Sequence, residues 1–486
     1  MADQIHYQSV RQMSDALLAK EISAAELADA HFKRIADLDG QVGAYLAVTP
    51  ELGHAQAEAA QTAIDGGNAG PLTGVPMQLK DNLATRGVTT TCSSLMLENF
   101  VPPYNATVTS ALADAGAVLL GKGNMDEFAM GSSTETSAYK PTHNPWDLDR
   151  VPGGSSGGPA ASVAGGLAPY SLGSDTGGSI RQPASFCGIV GLKPTYGLIS
   201  RFGLIAFASS LDQIGPLTRT VEDAALVMNA IAVPDVNDST SIPRAAVDYT
   251  VGLKDGVKGL RIGIVPEYFG DGIDPEVARL TREAITQLEA LGAETTEISL
   301  PNSKAALAVY YILAPSECSA NLARYDGVKF GFSTPNAPNM MAALEATREG
   351  GFGTEVKRRM MMGTYALSSG YYDAYYKKAQ QVRTLIRREF DAAFEKVDVL
   401  ITPTTPTTAF KLGEIQDPVV MHANDVCTVP ANIAGIPGIS IPCGTIDGLP
   451  VGLQLLGAHL SEPTLLRAAY AYEQASPWHT EHPTAG

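Results

Sequence analysis

Val151 to Gly158 reads VPGGSSGG, and Gly173 to Pro183 reads GSDTGGSIRQP. The second stretch follows a strand-like Tyr170-Ser-Leu-Gly173 and opens a helix at Ile180, so strand, glycine turn and helix succeed one another. Outward from that unit the alternation continues. Upstream, Gly74-Val-Pro-Met-Gln-Leu-Lys80 is a short strand with a lysine at its end, and a helix over 105–115 leads into a buried strand over 117–120. Downstream come a strand over 260–265 and a long helix capped by Asp274-Pro275 and closed at Leu291-Gly292. A helical segment over 365–394 follows, then an apolar strand over 397–401, then strand and loop punctuated by Pro and Gly over 430–442. The first 65 residues read as helices. Ser23-Ala-Ala-Glu26 is a capping box, and Thr49-Pro50-Glu51 opens a second helix with Gly66-Gly67 as its stop. Strands alternating with helices call for an α/β fold, with a large mixed, twisted sheet sandwiched between helices.

The chain of 486 residues reads as a single domain. It divides into a helical part (1–65), a core carrying both glycine-rich loops (66–230), and the rest of the sheet with pocket and partner surfaces (231–486). Residues 234–243 read as a surface insertion, and no fixed-period repeat occurs. No run approaches the length of about 20 apolar residues that spans a membrane. The N-terminus shows neither a secretory nor an organellar address. Cys92, Cys187, Cys318, Cys427 and Cys443 are scattered without a C-x-x-C pair. That disfavours disulfides and zinc and fits a reducing cytoplasm. A formal charge of −17 disfavours direct phosphate binding, and the basic spots at 357–359 and 387–388 read as solvated helix faces.

Two local patterns mislead. Gly116-Ala-Val-Leu-Leu-Gly121-Lys122-Gly123 approaches a phosphate-binding loop, but it lacks the Ser/Thr after the lysine and its middle is an apolar strand. Gly153-Gly-Ser155-Ser-Gly157 fits G-x-S-x-G, yet no strand precedes it. Neither His422 nor His459 sits in a recognisable site motif that would complete a Ser-His-Asp triad.

The glycine-rich loops place Ser155 and Ser179 24 residues apart. Gly and Ser dominate ordinary turns, so a pair of tight turns is the plain reading. Against it, the second loop presents successive backbone N–H groups at a helix start, where a developing oxyanion is stabilised. Glycines there allow a substrate carbonyl to approach closely. A serine hydroxyl also needs a base, and the candidate is Lys80. A lone lysine at a strand end is ordinarily a solvated charge. To act as a base it must be neutral, and lowering its pKa from about 10.4 to near 7 takes roughly 4–5 kcal/mol. Burial and hydroxyl hydrogen bonds supply such a shift. Asp81 would oppose it unless it points to the opposite face of the strand.

Lys80, Ser155 and Ser179, with their spacing, resemble the catalytic pattern of the amidase signature family, from about Leu17 to the C-terminus. The resemblance implies that Ser179 is the nucleophile and that Ser155 is a bridging serine after a cis peptide bond. Lys80 would be the base, and the N–H groups of Thr176, Gly177, Gly178 and Ser179 the oxyanion hole. Pro159 departs from the family, which more often has a small or acidic residue there. Proline is acceptable in a first helical turn.

Within that family Ala314-Pro-Ser-Glu317, Asn321 to Gly327, Lys357-Arg-Arg359, Leu367 to Lys378 and Asn424-Asp425 are similar to the branch of glutaminase subunits in tRNA-dependent amidotransferases. Glutamine carries an α-carboxylate and an α-ammonium. The resemblance assigns these to Arg359, with Arg358 the alternative, and to Asp425, with Tyr310 lining the pocket. For each of these a surface ion pair is the plain alternative. It further implies a heterotrimer: a second subunit that holds tRNA and uses ATP and Mg²⁺, and a small third subunit that wraps the pair. This chain itself would use no metal or nucleotide. Two other readings stay open. A free-standing amidase would show a hydrophobic acyl pocket over 310–430, and a silent scaffold would have no use for three chemistry-bearing residues.

Overall fold

The computed structural model describes residues 5–483. Its eleven strands are β1 (Tyr45–Val48), β2 (Pro76–Lys80), β3 (Val118–Gly123), β4 (Tyr170–Asp175), β5 (Val190–Lys193), β6 (Gln213–Thr218), β7 (Arg261–Ile264), β8 (Glu294–Glu297), β9 (Val399–Pro403), β10 (Gly438–Ile446) and β11 (Leu449–Gly457). They form one mixed sheet in the order β1-β3-β2-β4-β6-β5-β10-β11-β9-β7-β8. β2 runs parallel to both β3 and β4, whereas β4 through β9 pair antiparallel along the sheet.

Alternation along each strand creates two cores. On β9, Val399 and Ile401 enter the core shared with helices Val221–Ile231, Pro275–Ala290 and Glu462–Ala475. Leu400 enters the other core, with helices Ala306–Asn321 and Lys378–Phe394. Both faces of β9 are therefore covered, which gives the α/β/α layering. Helices Gly157–Ala164 and Arg181–Cys187 pack together against the centre of the sheet, where every residue of β4 and of the former helix is buried.

Local rules place many boundaries. Ser23 and Glu26 form the reciprocal capping box of helix Ala24–Val42. Proline occupies the first turn of Pro50–Asp65 and Pro275–Ala290, and in the latter the Asp274 carboxylate accepts from the N–H of Glu276. Pro159 lies in the first turn of Gly157–Ala164, where a missing N–H breaks no helical bond. The apolar Gly116–Gly123 run is buried strand β3, not a phosphate loop.

Three expectations are corrected. The first 65 residues are not helical throughout: after left-handed Gly43 closes helix Ala24–Val42, Tyr45–Val48 pairs antiparallel with β3 as an edge strand of the sheet. The segment over 365–394 is not one helix: Thr354–Leu367 ends where Ser368 turns extended and its hydroxyl donates to the Tyr365 carbonyl at 2.8 Å. The chain resumes helically through Asp373–Lys377 into Lys378–Phe394. In 430–442, Val429–Ala434 is helical, opened by Pro430 in its first turn and closed by left-handed Gly435, before β10 begins.

Candidate active site

The Lys80 side chain ends β2 with no solvent exposure. Its Nζ lies 2.7 Å from Ser155 Oγ, 2.8 Å from Ser156 Oγ, 3.0 Å from Ser174 Oγ and 3.3 Å from the Ser174 carbonyl. Burial pulls its pKa down to about 7, against the upward pull of the Asp126, Asp175 and Asp212 carboxylates. The surroundings suit a neutral amine: one hydroxyl proton can enter its lone pair while its two N–H groups find oxygen acceptors. Asp81 spends its carboxylate elsewhere, accepting from Thr91 N at 2.8 Å and lying 3.3 Å from Lys122 Nζ.

The peptide bond between Gly154 and Ser155 is cis. Gly154 N–H donates to Gln182 Oε1 at 2.9 Å, and the Ser155 carbonyl accepts from Asp126 N at 3.2 Å. Ser156 N–H donates to the Ser179 carbonyl at 3.2 Å, tying the two glycine-rich loops together. Ser179 follows β4 on the second loop and is 8% exposed.

Asp175 shapes that loop. It accepts from Gly178 N at 2.8 Å, Ile180 N at 3.2 Å and Arg181 Nε at 3.0 Å. Burial raises its pKa, but the Arg181 pair outweighs this and holds it at about 2. Gly178 N–H is thereby taken, which removes it from the expected oxyanion donors because a fixed carboxylate is the stronger acceptor. The N–H groups of Thr176, Gly177 and Ser179 remain for a substrate oxygen. Glycine is required at 177 and 178: a Cβ on Gly177 would lie 2.8 Å from the Tyr310 ring, and one on Gly178 would collide with Thr428 Oγ1. Arg181 is fully buried and also donates to Gln454 Oε1 at 2.7 Å and Asn432 Oδ1 at 2.6 Å. Arg181→Met leaves the Asp175 charge buried and unpaired. We expect it to cost about 3–5 kcal/mol in denaturant unfolding.

Tyr310 thus stands against the loop, and the Arg359 charge acts on its buried phenol. Arg359 is 2% exposed and lies over the Phe207 and Tyr311 rings at 5.6 and 5.5 Å, so it is not the solvated charge its sequence setting suggested. Its Nε donates to Glu355 Oε1 at 2.6 Å, which aims the two terminal nitrogens away from Glu355. Arg358 is committed otherwise: Nε and Nη2 to Glu355, Nη2 also 3.0 Å from His422 Nε2. Arg359, not Arg358, faces the cavity of about 150 Å³ lined by Ser132, Glu355, Met421 and His422. Asp425 is buried and accepts from Ser132 Oγ at 2.7 Å; burial raises its pKa to about 7. The Thr428 hydroxyl donates to the Gly177 carbonyl at 2.7 Å, joining the Asp425 turn to the nucleophile loop.

Several functional residues escaped the sequence reading. Ser156 and Ser174 stand inside the quoted motifs, and their serine density was the available signal. Glu355 precedes Arg359 by four residues, a spacing that pairs side chains on a helix. Ser132 gave no signal. His422 stacks on Tyr311 at 3.8 Å beside the cavity, with its pKa lowered by burial to about 3. It does not contact the serines, which separates the site from a Ser-His-Asp triad. The helix after G-x-S-x-G is present without a preceding strand.

A fully buried lysine whose pKa burial lowers to about 7, a serine hydroxyl 2.7 Å from it, and a second serine on a glycine-rich turn are the groups that a Ser-Ser-Lys serine hydrolase requires. The chain belongs to the amidase family, whose model matches residues 26–466. It is 59% identical over 485 residues to the glutamyl-tRNA(Gln) amidotransferase A subunit of Moorella thermoacetica, covering 99% of each chain. It is 58% identical to that of Cyanothece sp., covering 98% of this chain and 99% of the other. The crystal structure of the glutamyl-tRNA(Gln) amidotransferase A subunit from Thermotoga maritima superimposes with a TM-score of 0.82 at 41% identity, covering 99% of this chain and 98% of that one. Among the described residues no helix is long and apolar enough to cross a membrane.

Proposed function

We propose that this chain is the glutaminase subunit of a tRNA-dependent amidotransferase. The observation that carries the reading is one fixed cation, Arg359, and one buried carboxylate, Asp425, both tied to the nucleophile loop through Tyr310 and Thr428. A free amino acid with a side-chain amide matches that arrangement, whereas a simple hydrophobic amide has no use for either charge. The full-length similarity to glutamyl-tRNA(Gln) amidotransferase A subunits supports the same substrate.

In the mechanism, Ser179 Oγ attacks the side-chain amide carbon of glutamine. Its proton passes to Ser155 Oγ as the Ser155 proton passes to Lys80 Nζ. The oxyanion rests on the N–H groups of Thr176, Gly177 and Ser179. Lys80 then returns the proton through Ser155 to the leaving nitrogen, and ammonia departs from a γ-glutamyl ester. Water, activated by the same relay, releases glutamate and restores Ser179. The ammonia is delivered to a partner subunit that activates tRNA-bound glutamate or aspartate with ATP and Mg²⁺, in a heterotrimer completed by a small wrapping subunit. This chain supplies no cofactor of its own, and its acidic balance leaves tRNA to the partner.

The test is glutamine hydrolysis measured for the chain alone and with its two partner subunits. Strong stimulation on assembly is expected, and full activity alone would favour a free-standing amidase. Arg359→Lys loses the two-pronged grip on a carboxylate. It should raise KM for glutamine by about 10–100-fold with a smaller change in kcat, the loss of a charge-assisted pair being worth about 1.5–3 kcal/mol. Arg358→Lys should change KM little.

A further inference from the structure

Gln182 is fully buried in the first turn of helix Arg181–Cys187, and its side-chain amide spans the two halves of the site. Its Oε1 accepts from Gly154 N–H at 2.9 Å, one residue before Ser155, whose hydroxyl stands 2.7 Å from Lys80 Nζ. Its Nε2 donates to the Ser132 carbonyl at 3.0 Å. The Ser132 hydroxyl in turn donates to Asp425 at 2.7 Å, and Ser132 lines the cavity that Arg359 faces. The amide cannot be turned over, because Gly154 offers an N–H at one end and the carbonyl at the other only accepts. A Cβ on Gly153 would lie 2.5 Å from Gln182 Oε1, so glycine there lets the Ser155 loop close on this side chain.

Resting on the glutaminase-subunit reading, we propose that Gln182 is a positioning residue for the proton relay. It fixes the Ser155 hydroxyl relative to the Ser132–Asp425 pair that receives the α-ammonium of the substrate. A glutamine seated on Asp425 and a proton path through Ser155 then share one side chain as their common reference. Thr134 also joins the two loops: its hydroxyl donates to the Gly153 carbonyl at 2.8 Å and accepts from Gly157 N–H at 3.2 Å. It grips the Ser155 loop at flanking residues, so loss of the Gln182 amide should shift the Ser155 hydroxyl without unfolding the loop. The Gln182 backbone keeps its bond to the Gly178 carbonyl, 2.8 Å, whatever side chain stands there. A misplacement of about 1 Å in a reacting group costs on the order of 100-fold in rate.

The experiment compares Gln182→Met and Gln182→Glu with the wild type, each assembled with the two partner subunits, from pH 6 to 9. Ammonia release from glutamine is divided by the number of Ser179 hydroxyls that a serine-reactive probe labels to completion, so that misfolded chains drop out. The rate of labelling is recorded as well. Gln182→Met fills the same space without either hydrogen bond. Its kcat per labelled site should fall about 100-fold at every pH, and its labelling rate with it. Gln182→Glu should differ. Protonated, its carboxyl accepts from Gly154 N–H and donates to the Ser132 carbonyl as the amide does; ionised, it sets an oxygen against that carbonyl. Burial favours the protonated form at low pH. Its kcat should therefore stay within about fivefold of wild type at pH 6 and fall away from the wild-type plateau as pH rises. Near-wild-type kcat in the Met variant, a Glu variant that follows the wild type to pH 9, or a Glu variant as slow as the Met variant at pH 6 would each overturn the proposal. A wild-type assembly that is labelled at Ser179 but releases no ammonia from glutamine would overturn the glutaminase reading instead. The labelling rates of the three proteins would then still decide the role of Gln182.

Discussion

Ser179→Ala is expected to lower kcat for glutamine hydrolysis by on the order of 10⁴-fold or more, in an assembly that forms normally. The variant removes one hydroxyl from a loop whose shape is held by other atoms: Asp175 from within, Thr428 and Arg181 from outside. Stability should therefore change little. The oxyanion donors and the glutamine pocket survive, so residual rate over water remains while the covalent route is closed. The measurement is ammonia release under saturating glutamine, alongside labelling by a serine-reactive probe. Near-normal ammonia release by Ser179→Ala would end the covalent mechanism, and an unlabelled wild-type chain would favour a silent scaffold.

Lys80→Met should lower kcat on the order of 10³-fold, the size of a general-base contribution. Lys80→Arg should do the same although it keeps a positive charge, because a guanidinium stays protonated. That pair of variants separates proton transfer from simple electrostatic support. In the wild type, kcat should rise about tenfold per pH unit below about 7 and level off above, as Lys80 loses its proton. KM for glutamine should also climb below about 7, as Asp425 becomes protonated and loses its hold on the α-ammonium. Stability follows the same lysine with a definite sign. Its folded pKa of about 7 lies below the unfolded value of about 10.4, so between those values the unfolded chain binds more protons and stability rises with pH. Denaturant titrations of Lys80→Met should show a shallower rise, the remainder coming from buried Lys122 and Lys193, whose pKa values burial also lowers. A wild-type kcat flat from pH 6 to 8 would contradict the base assignment.

What could be read in the sequence and what could not divide along physical lines. Caps and glycine turns act within a few residues, so Ser23, Asp274 and the 173–183 unit announced their structures. The break at Ser368 had a signal in Ser368-Ser369-Gly370, but helix formers on either side masked it; there both the N–H and the hydroxyl of Ser368 turn back to the Tyr365 carbonyl. Lys80 looked like a solvated charge, since its three hydroxyl neighbours lie 75, 76 and 94 positions away. Only the family resemblance joined it to Ser155. The glycine turn between β4 and the helix Arg181–Cys187 was placed correctly, but the engagement of Gly178 N–H by Asp175 is a matter of side-chain direction that spacing does not encode. The choice between Arg358 and Arg359 likewise turned on how each divides its nitrogens around Glu355.

The clamp on Asp175 carries a consequence for synthesis. The lysine and both serines occur by residue 179, yet the groups that fix the nucleophile loop, Thr428, Asn432 and Gln454, belong to the last fifth of the chain. A nascent chain emerges from the ribosome N-terminus first. It therefore carries the full set of reactive groups for most of its elongation without the clamp that arms them. The loop therefore gains its fixed shape only once residues 428–454 have emerged and β10 pairs with β5 and β11.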